Sequence, residues 1–440
     1  MAASWKAVTI DDLCQTGIAS VWTGPFGSQL HVADYAQTGV PVVPTEAIRN
    51  RTIDTALVNH VTPDTASRLK RHRLQPGDIL FARRGAQATG SSGIVKKEHD
   101  GFLCGTGAIV LRVVSGNTID PEFLSLALSS DESVAWFKQQ AVGAVMPNLN
   151  DSIVRRFALR LPPLPVQRAI ARVLVTVDDK IDLNRRMNET LESMARTIFK
   201  SWFVDFDPVR AKAEGRQPAG MNAEMAALFP ARVVANREYE IPAGWSLGAL
   251  DENADFLNGL AMQKYPPQGR GTLPVIKIAE LRKGGTAGAD LAGDQVPGDF
   301  IIADGDLLFS WSGSLAVRIW TGGRGALNQH LFKVTSKRCP IWYVYQYLNH
   351  HLPEFQAIAA AKATTMGHIQ RHHLHEVMIV LPTAAVMERS TAIIGPLHQQ
   401  CILLRQESRT LATLRDALLP KLLSGEIRIR DAEKLVETHL

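Results

Sequence analysis

Two groups of residues in this sequence carry side chains able to do chemistry. Asp178, Asp179 and Lys180 form an acid-acid-base run of the kind a nuclease uses with a metal ion. They lie between Val177 and Ile181, within apolar residues at helical spacing, so charge on a helix surface explains them better. His368, His372, His373 and His375 supply imidazoles. The matching stretch of an internal repeat described below, Asn148 to Arg155, has no histidine. Without acidic or thiol partners such a cluster fits a surface or a DNA contact better than a metal centre, and no metal is expected. There is no phosphate-cradling G-x-x-x-x-G-K-[ST], no G-x-G-x-x-G leading from strand to helix, and no Ser, Cys or His constellation for nucleophilic catalysis. The expectation is a protein with no catalytic residues that binds rather than reacts.

Two stretches have the make-up of a nucleic-acid surface. Between Arg68 and Lys97 eight Lys or Arg face one acid, Asp78, around the loop Gly85 to Gly93; between Leu307 and Arg338 five Lys or Arg face none. Positive charge suits phosphates, small residues allow close approach, and forked donors suit base edges. The candidate DNA contacts are Arg68, Lys70, Arg71, Arg83, Arg84, Gln87 and Lys96 in the first stretch. In the second they are Ser310, Trp311, Ser312, Ser314 and Arg318, with His368 and Arg371 farther on. Either stretch alone reads as solvated basic surface, but its recurrence at the same place in a repeat favours a binding face.

The repeat is the strongest signal in the chain. Trp5, Val40 to Val43, the segment Gly77-Asp78-Ile79-Leu80-Phe81, Ile109 to Val113, Met146 and Leu161-Pro162 recur in order. Their counterparts are Trp245, Leu273 to Ile276, Gly305-Asp306-Leu307-Leu308-Phe309, His330 to Val334, Met366 and Leu381-Pro382. The displacement drifts only between roughly 220 and 240 residues, as expected when loops vary on one scaffold.

After each Leu-Pro pair the short β-like runs give way to a helical period. From Pro165 to about Phe203 the apolar residues form a heptad seam, interrupted by Asn184 and Asn188. These read equally well as buried register-setting polar residues or as an exposed mid-helix face. A second helical stretch runs from about Val386 to Leu423, with Pro396 expected to delay or kink it, Pro420 to break it and Gly425 to end it. Helices of this length, roughly 55 to 60 Å at 1.5 Å per residue, cannot bury a seam alone. The expected fold is therefore α/β modules plus long helices: two recognition modules separated by an antiparallel, coiled-coil-like helix pair with a pseudo-two-fold axis. The expected boundaries are 1–162 for the first module, 163–206 for its helix, 207–243 for a linker, 244–382 for the second module and 383–440 for the distal helical region. One short helix, near Asn222 to Leu228, is expected in the linker.

The chain has 440 residues, 45% of them hydrophobic and 21% charged, room for two ordinary cores. Its net charge of +5 fits an acidic partner. The four dispersed cysteines form no metal or disulfide pattern, and no apolar run approaches the roughly 20 residues that cross a bilayer, so a cytoplasmic protein with no membrane partner is expected.

Leu161 to Gly215, LPPLPVQRAIARVLVTVDDKIDLNRRMNETLESMARTIFKSWFVDFDPVRAKAEG, resembles the central conserved region of DNA-specificity (S) subunits of type I restriction-modification enzymes. Leu414 to Ile427, LRDALLPKLLSGEI, resembles the distal conserved region of that family, and Gly24-Pro25-Phe26-Gly27-Ser28 and the two GD(I/L)LF segments resemble elements of its target recognition domains. The resemblance implies a non-catalytic subunit that reads a split double-stranded DNA site and docks two modification subunits that methylate adenine. It also implies restriction-translocase subunits, with S-adenosylmethionine, ATP and Mg bound by the partners and no cofactor by this chain. A self-contained DNA methyltransferase or nuclease would need a cofactor or metal segment, and two similar modules leave no region spare. A palindrome-binding regulator would call for a helix-turn-helix and matching modules.

Overall fold

The two Gly-Asp pairs anchor the same construction twice. In the computed structural model, which describes residues 5–85, 89–143, 148–236, 238–268, 271–361 and 367–440, Gly77 and Gly305 take left-handed backbone angles, φ +91° and +97°. The aspartate that follows closes the turn: the Gln75 amide donates to Asp78 Oδ2 and the Ala303 amide to Asp306 Oδ2, each at 2.8 Å. The same aspartates hold the basic residue of the neighbouring strand. Arg112 donates two 2.6 Å bonds to Asp78, and Lys333 pairs with Asp306 at 3.0 Å. The basic strand ends are thus consumed inside each module.

The chain divides into two units, Met1–Lys180 with Leu411–Leu440, and Ile181–Thr410. In the first, Ala19–Thr23, Ala108–Val113, Ile79–Ala82 and Ser92–Ile94 form an antiparallel sheet in that order. All four residues of Ile79–Ala82 are buried, which is why this strand reads as an unbroken apolar run. A second sheet orders Leu103–Cys104, Val40–Val43, Asn59–Val61 and Tyr35–Ala36, its first pair parallel. Lys6–Thr9 pairs with Ala158–Leu161 and joins the two ends of the module.

The second unit repeats the plan. Asp255–Asn258, Leu331–Thr335, Leu307–Ser310 and Val317–Ile319 form one sheet; Leu291–Gly293, Thr272–Ile276, Gly325–Leu327 and Ile301–Ile302 form the other, again with one parallel pair; and Ser246–Ala249 closes against Met378–Leu381. The expected repeat is present as topology.

The first long helix, Leu164–Phe203, contributes 164–180 to the first unit and the remainder to the second; Ala384–Ser424 contributes in the opposite order. Within the second unit they run antiparallel: Asn184 Nδ2 donates to Glu407 at 2.7 Å, and Arg405 pairs with Glu192. In the first, Asp178 pairs with Arg415 at 2.8 Å. Asn184 and Asn188 are buried, their Oδ1 atoms without a partner among the described residues, so the buried polar reading is the one realised.

Two expectations are corrected. Pro396 and Pro420 lie inside an unbroken helix that ends, as expected, at Gly425 with φ +74°. An interior proline costs about 3 kcal/mol, but Ile394, Cys401, Ile402, Leu418 and Leu419 beside them are buried at about 1.5–3 kcal/mol each for the larger side chains. The segment expected as a linker is folded into the second unit. Beyond the anticipated helix, Ala223–Leu228, it forms Asp207–Ala213 and the hairpin Val233–Asn236 with Tyr239–Pro242. Phe206, Val209, Phe229 and Ile241 join Phe199, Phe203 and Trp245 in one core, which the polar sequence between them conceals.

Candidate nucleic-acid interface

In each module the strand after Gly-Asp runs out into a loop held by backbone bonds to two distant segments. In the first, the Arg83 amide donates to Gly107 O at 2.9 Å, the Leu149 amide donates to Arg83 O at 2.8 Å, and Arg84 bridges Asn148. In the second, the Trp311 amide donates to His330 O at 3.3 Å, the Ile369 amide donates to Trp311 O at 2.9 Å, and Ser312 bridges His368. Arg83 and Trp311, Arg84 and Ser312, and Asn148 and His368 therefore occupy equivalent positions on one backbone design.

Different side chains stand on that design. Arg83 Nε donates to Asn148 Oδ1 and to Leu149 O, both at 3.0 Å, so this arginine braces the loop; Arg84 beside it is exposed. A side chain at Gly107 would lie 3.0 Å from Arg84 Nε, and one at Gly24 only 2.3 Å from Gly105 O. The loop Gly24-Pro25-Phe26-Gly27-Ser28 is thereby pressed onto the same turn, with Phe26 58% exposed. In the second module Trp311 Nε1 donates to Asn258 Oδ1 at 2.8 Å. Its ring lies 5.8, 6.0 and 6.4 Å from those of His330, Phe332 and His368. Arg371 stands 6.0 Å over Phe332 and donates to Phe256 O at 3.2 Å. The first site offers an exposed forked cation and an aromatic ring, the second an indole-imidazole platform with a guanidinium. Such groups contact phosphates, base edges and base faces. A cavity of about 430 Å³ adjoins the second site, lined by Gly313, Gly367, Arg282, Ser314 and Gln356 among others.

The remaining candidates fall elsewhere or prove structural. Ser310 is fully buried, its Oγ donating to Ser314 O and accepting from the Ala316 amide, so it cannot face DNA. Ser312 is also buried, its hydroxyl 2.9 Å from His330 Nδ1; Ser314 is exposed near Arg282. Lys96 is turned to the first long helix, where it pairs with Asp179 at 3.3 Å. Arg68 pairs with Asp34 at 2.6 Å, and Lys70 and Arg71 are exposed on the following turn. Among the described residues no hydrogen bond joins these three to the Arg83 loop. Arg318 is open by area yet partly enclosed by protein, and that burial, with the charge of Arg405, lowers its guanidinium below the usual arginine range. Gln87, Met146 and Met366 lie outside the described residues.

Asn148, Asn258 and His330 escaped the sequence reading, although aligning the copies through Gly-Asp and Leu-Pro would have brought the first and last to notice. The histidine cluster also differs from expectation. Glu376 stands beside His372 and His373, with ligand atoms of all three within 4.8 Å, so an acidic partner is present after all. His373 is buried and its Nδ1 accepts from the Gln370 amide, while His375 meets Asp251 at 3.0 Å.

Known proteins share this organisation. Residues 3–193 match the family model described as the type I restriction modification DNA specificity domain. The chain is 24% identical over 403 residues to the type I restriction enzyme HindI specificity subunit of Haemophilus influenzae, covering 80% of this chain and 87% of that protein. It is 24% identical over 331 residues to the MjaIX specificity subunit of Methanocaldococcus jannaschii, covering 73% and 72%. The crystal structure of a type I restriction-modification S subunit from M. genitalium has the same fold, with a TM-score of 0.55 at 14% identity over 95% of this chain and 96% of that one.

Proposed function

We propose that the chain is a specificity subunit of the type I restriction-modification kind, a reading supported by its likeness to that domain over residues 3–193 and to known specificity subunits, and that each module reads one half of a split site while the paired long helices set the distance between the halves. It is the DNA-recognition component of such a complex and is not itself the catalyst. The observation that carries the split-site reading is the pair of equivalent loops, Arg83-Arg84 with Asn148 and Trp311-Ser312 with His368, on one backbone plan with unlike side chains. Two copies of one scaffold with different chemistry are suited to reading two different short sequences.

DNA and the other subunits of the complex are its partners. We further propose that two modification subunits dock on the chain, that S-adenosylmethionine, ATP and Mg are bound by the partner subunits, and that the complex works in the cytoplasm. No helix among the described residues is long and apolar enough to cross a membrane. The test is a module exchange. Replacing residues 1–162 by the corresponding module of a relative, then mapping methylated adenines in cellular DNA, is expected to change one half of the site and leave the other. Alteration of both halves refutes independent reading.

A further inference from the structure

Asp178, the first member of the acid-acid-base run, has a use unrelated to nuclease chemistry. Arg51 follows Asn50, and both hold left-handed backbone angles, φ +61° and +49°. Non-glycine residues adopt that region at a cost that their surroundings must offset. The compensation is visible at Arg51, which is buried with each arm of its guanidinium engaged. Nε donates to Ser125 Oγ at 3.2 Å, Nη2 to Glu122 at 2.6 Å, and Nη1 to Asp178 Oδ2. The other oxygen of Asp178 receives Arg415 Nη1 at 2.8 Å, and the adjacent Asp179 receives Lys96 at 3.3 Å. Four segments of the first unit meet through the Arg51 guanidinium and the Asp178 carboxylate: the hairpin of Ile48–Arg49 with Thr52–Ile53, whose turn carries Arg51, the helix Pro121–Ser129, and the parts of both long helices that belong to this unit.

We propose that Asp178 is the positioning residue that seats the first recognition module on the long helices, and so fixes the angle at which that module meets its half-site. A guanidinium that spans two carboxylates, joined to a carboxylate that spans two arginines, resists rotation as well as separation, which apolar packing does less well. The second module is tied to a long helix at a different place, where Arg409 donates to both oxygens of Asp304 at 2.9 and 2.7 Å. At the same interval after its Leu-Pro pair stands His398, whose Nε2 has no partner and whose ring faces Tyr345 at 5.5 Å. There the helix is held by the aromatic core around Phe199, Trp202, Phe203 and Trp245. The second module thus lacks the carboxylate that joins two arginines in the first, and its ionic tie lies elsewhere on the helix, at Arg409.

The proposal rests on split-site reading, and the test separates the two. The subunit, assembled with its modification subunits, is titrated by fluorescence anisotropy against duplexes bearing its methylation-mapped site at native spacing or with one base pair added or removed. Wild type is expected to prefer the native spacing. In D178A that preference is expected to fall by roughly fivefold or more, the scale of one lost base-pair contact, with affinity for a duplex carrying only the second half-site unchanged. D178N, which keeps the shape and one good acceptor, is expected to fall between. If D178A does not fold, R51K serves, since an ammonium cannot bond Ser125, Glu122 and Asp178 with the geometry of a fork. A general loss of stability lowers binding to every duplex alike and leaves the spacing ratio intact. An unchanged ratio in a folded variant overturns the proposal. Absence of any spacing preference in wild type overturns the split-site reading instead.

Discussion

Lengthening the helix pair tests the proposed ruler through geometry alone. Because the two helices run antiparallel in the second unit, with Asn184 against Glu407 and Glu192 against Arg405, an insertion in one must be matched in the other. Seven residues placed after Asn188 and seven after Arg405 lengthen the pair by about 10 Å at 1.5 Å per residue. That equals about three base pairs at roughly 3.4 Å each. Seven residues at 100° each leave the seam about 20° out of phase, which supercoiling absorbs. Matched insertions of three and five residues leave it about 60° and 140° out, so stability should decline from seven to three to five. In binding assays with fixed half-sites and variable spacers, the seven-residue variant is expected to move its optimum by about three base pairs. Three base pairs also rotate one half-site by about 100°, so peak affinity should drop. Tight binding at the original spacing only, or a change in the half-site sequences, would refute the helices as ruler.

Arg83 and Arg84 should separate cleanly. R84A is expected to leave the urea midpoint unchanged and lower the salt slope of DNA binding by about one unit, whereas R83A, which deprives Asn148 and Leu149 of their donor, should cost about 1–3 kcal/mol of stability. W311F keeps a ring but loses the bond to Asn258; competition with altered duplexes should show weaker discrimination in one half-site only, and an effect on both would contradict the assignment. Burial, and secondarily Arg405, lower His398 from 6.5 to about 4. The folded state thus takes up its proton later than the unfolded chain, so His398 destabilises the fold as pH falls from about 6.5 towards 4, by roughly 3 kcal/mol in total. Denaturation of H398Q across that window should show a flatter dependence on pH.

Periodic and repeated features were legible in the sequence. Val40–Val43, the strands after Gly-Asp and the closing Leu-Pro strands lie where the repeat places them, because each is a short apolar run bounded by turn residues. What the sequence concealed was decided by distant partners. The segment 207–243 looks like a linker because its buried residues, Val209, Met225, Phe229 and Ile241, are spaced among polar ones. Pro420 looks like a break until the burial around it is known. At the candidate interface, composition could not separate an exposed cation from a structural one. Arg84 reaches solvent, Lys96 meets Asp179, and Ser310 supports the turn beneath Trp311.

The bridges Arg84 to Asn148 and Ser312 to His368 join main chain to main chain, and a peptide group is the same whatever residue carries it. The main-chain bridges thus work as sockets that hold unlike side chains in the two copies, although Arg83 adds side-chain bonds of its own to Asn148 and Leu149. Arginine stands where the other copy has tryptophan, and asparagine where it has histidine, without disturbance of the surrounding strands. On the proposed reading, substitution of an exposed side chain such as Arg84 alters what is read while sparing the scaffold that reads it. A lineage carrying this architecture can therefore change its DNA target by few steps, each passing through a folded protein.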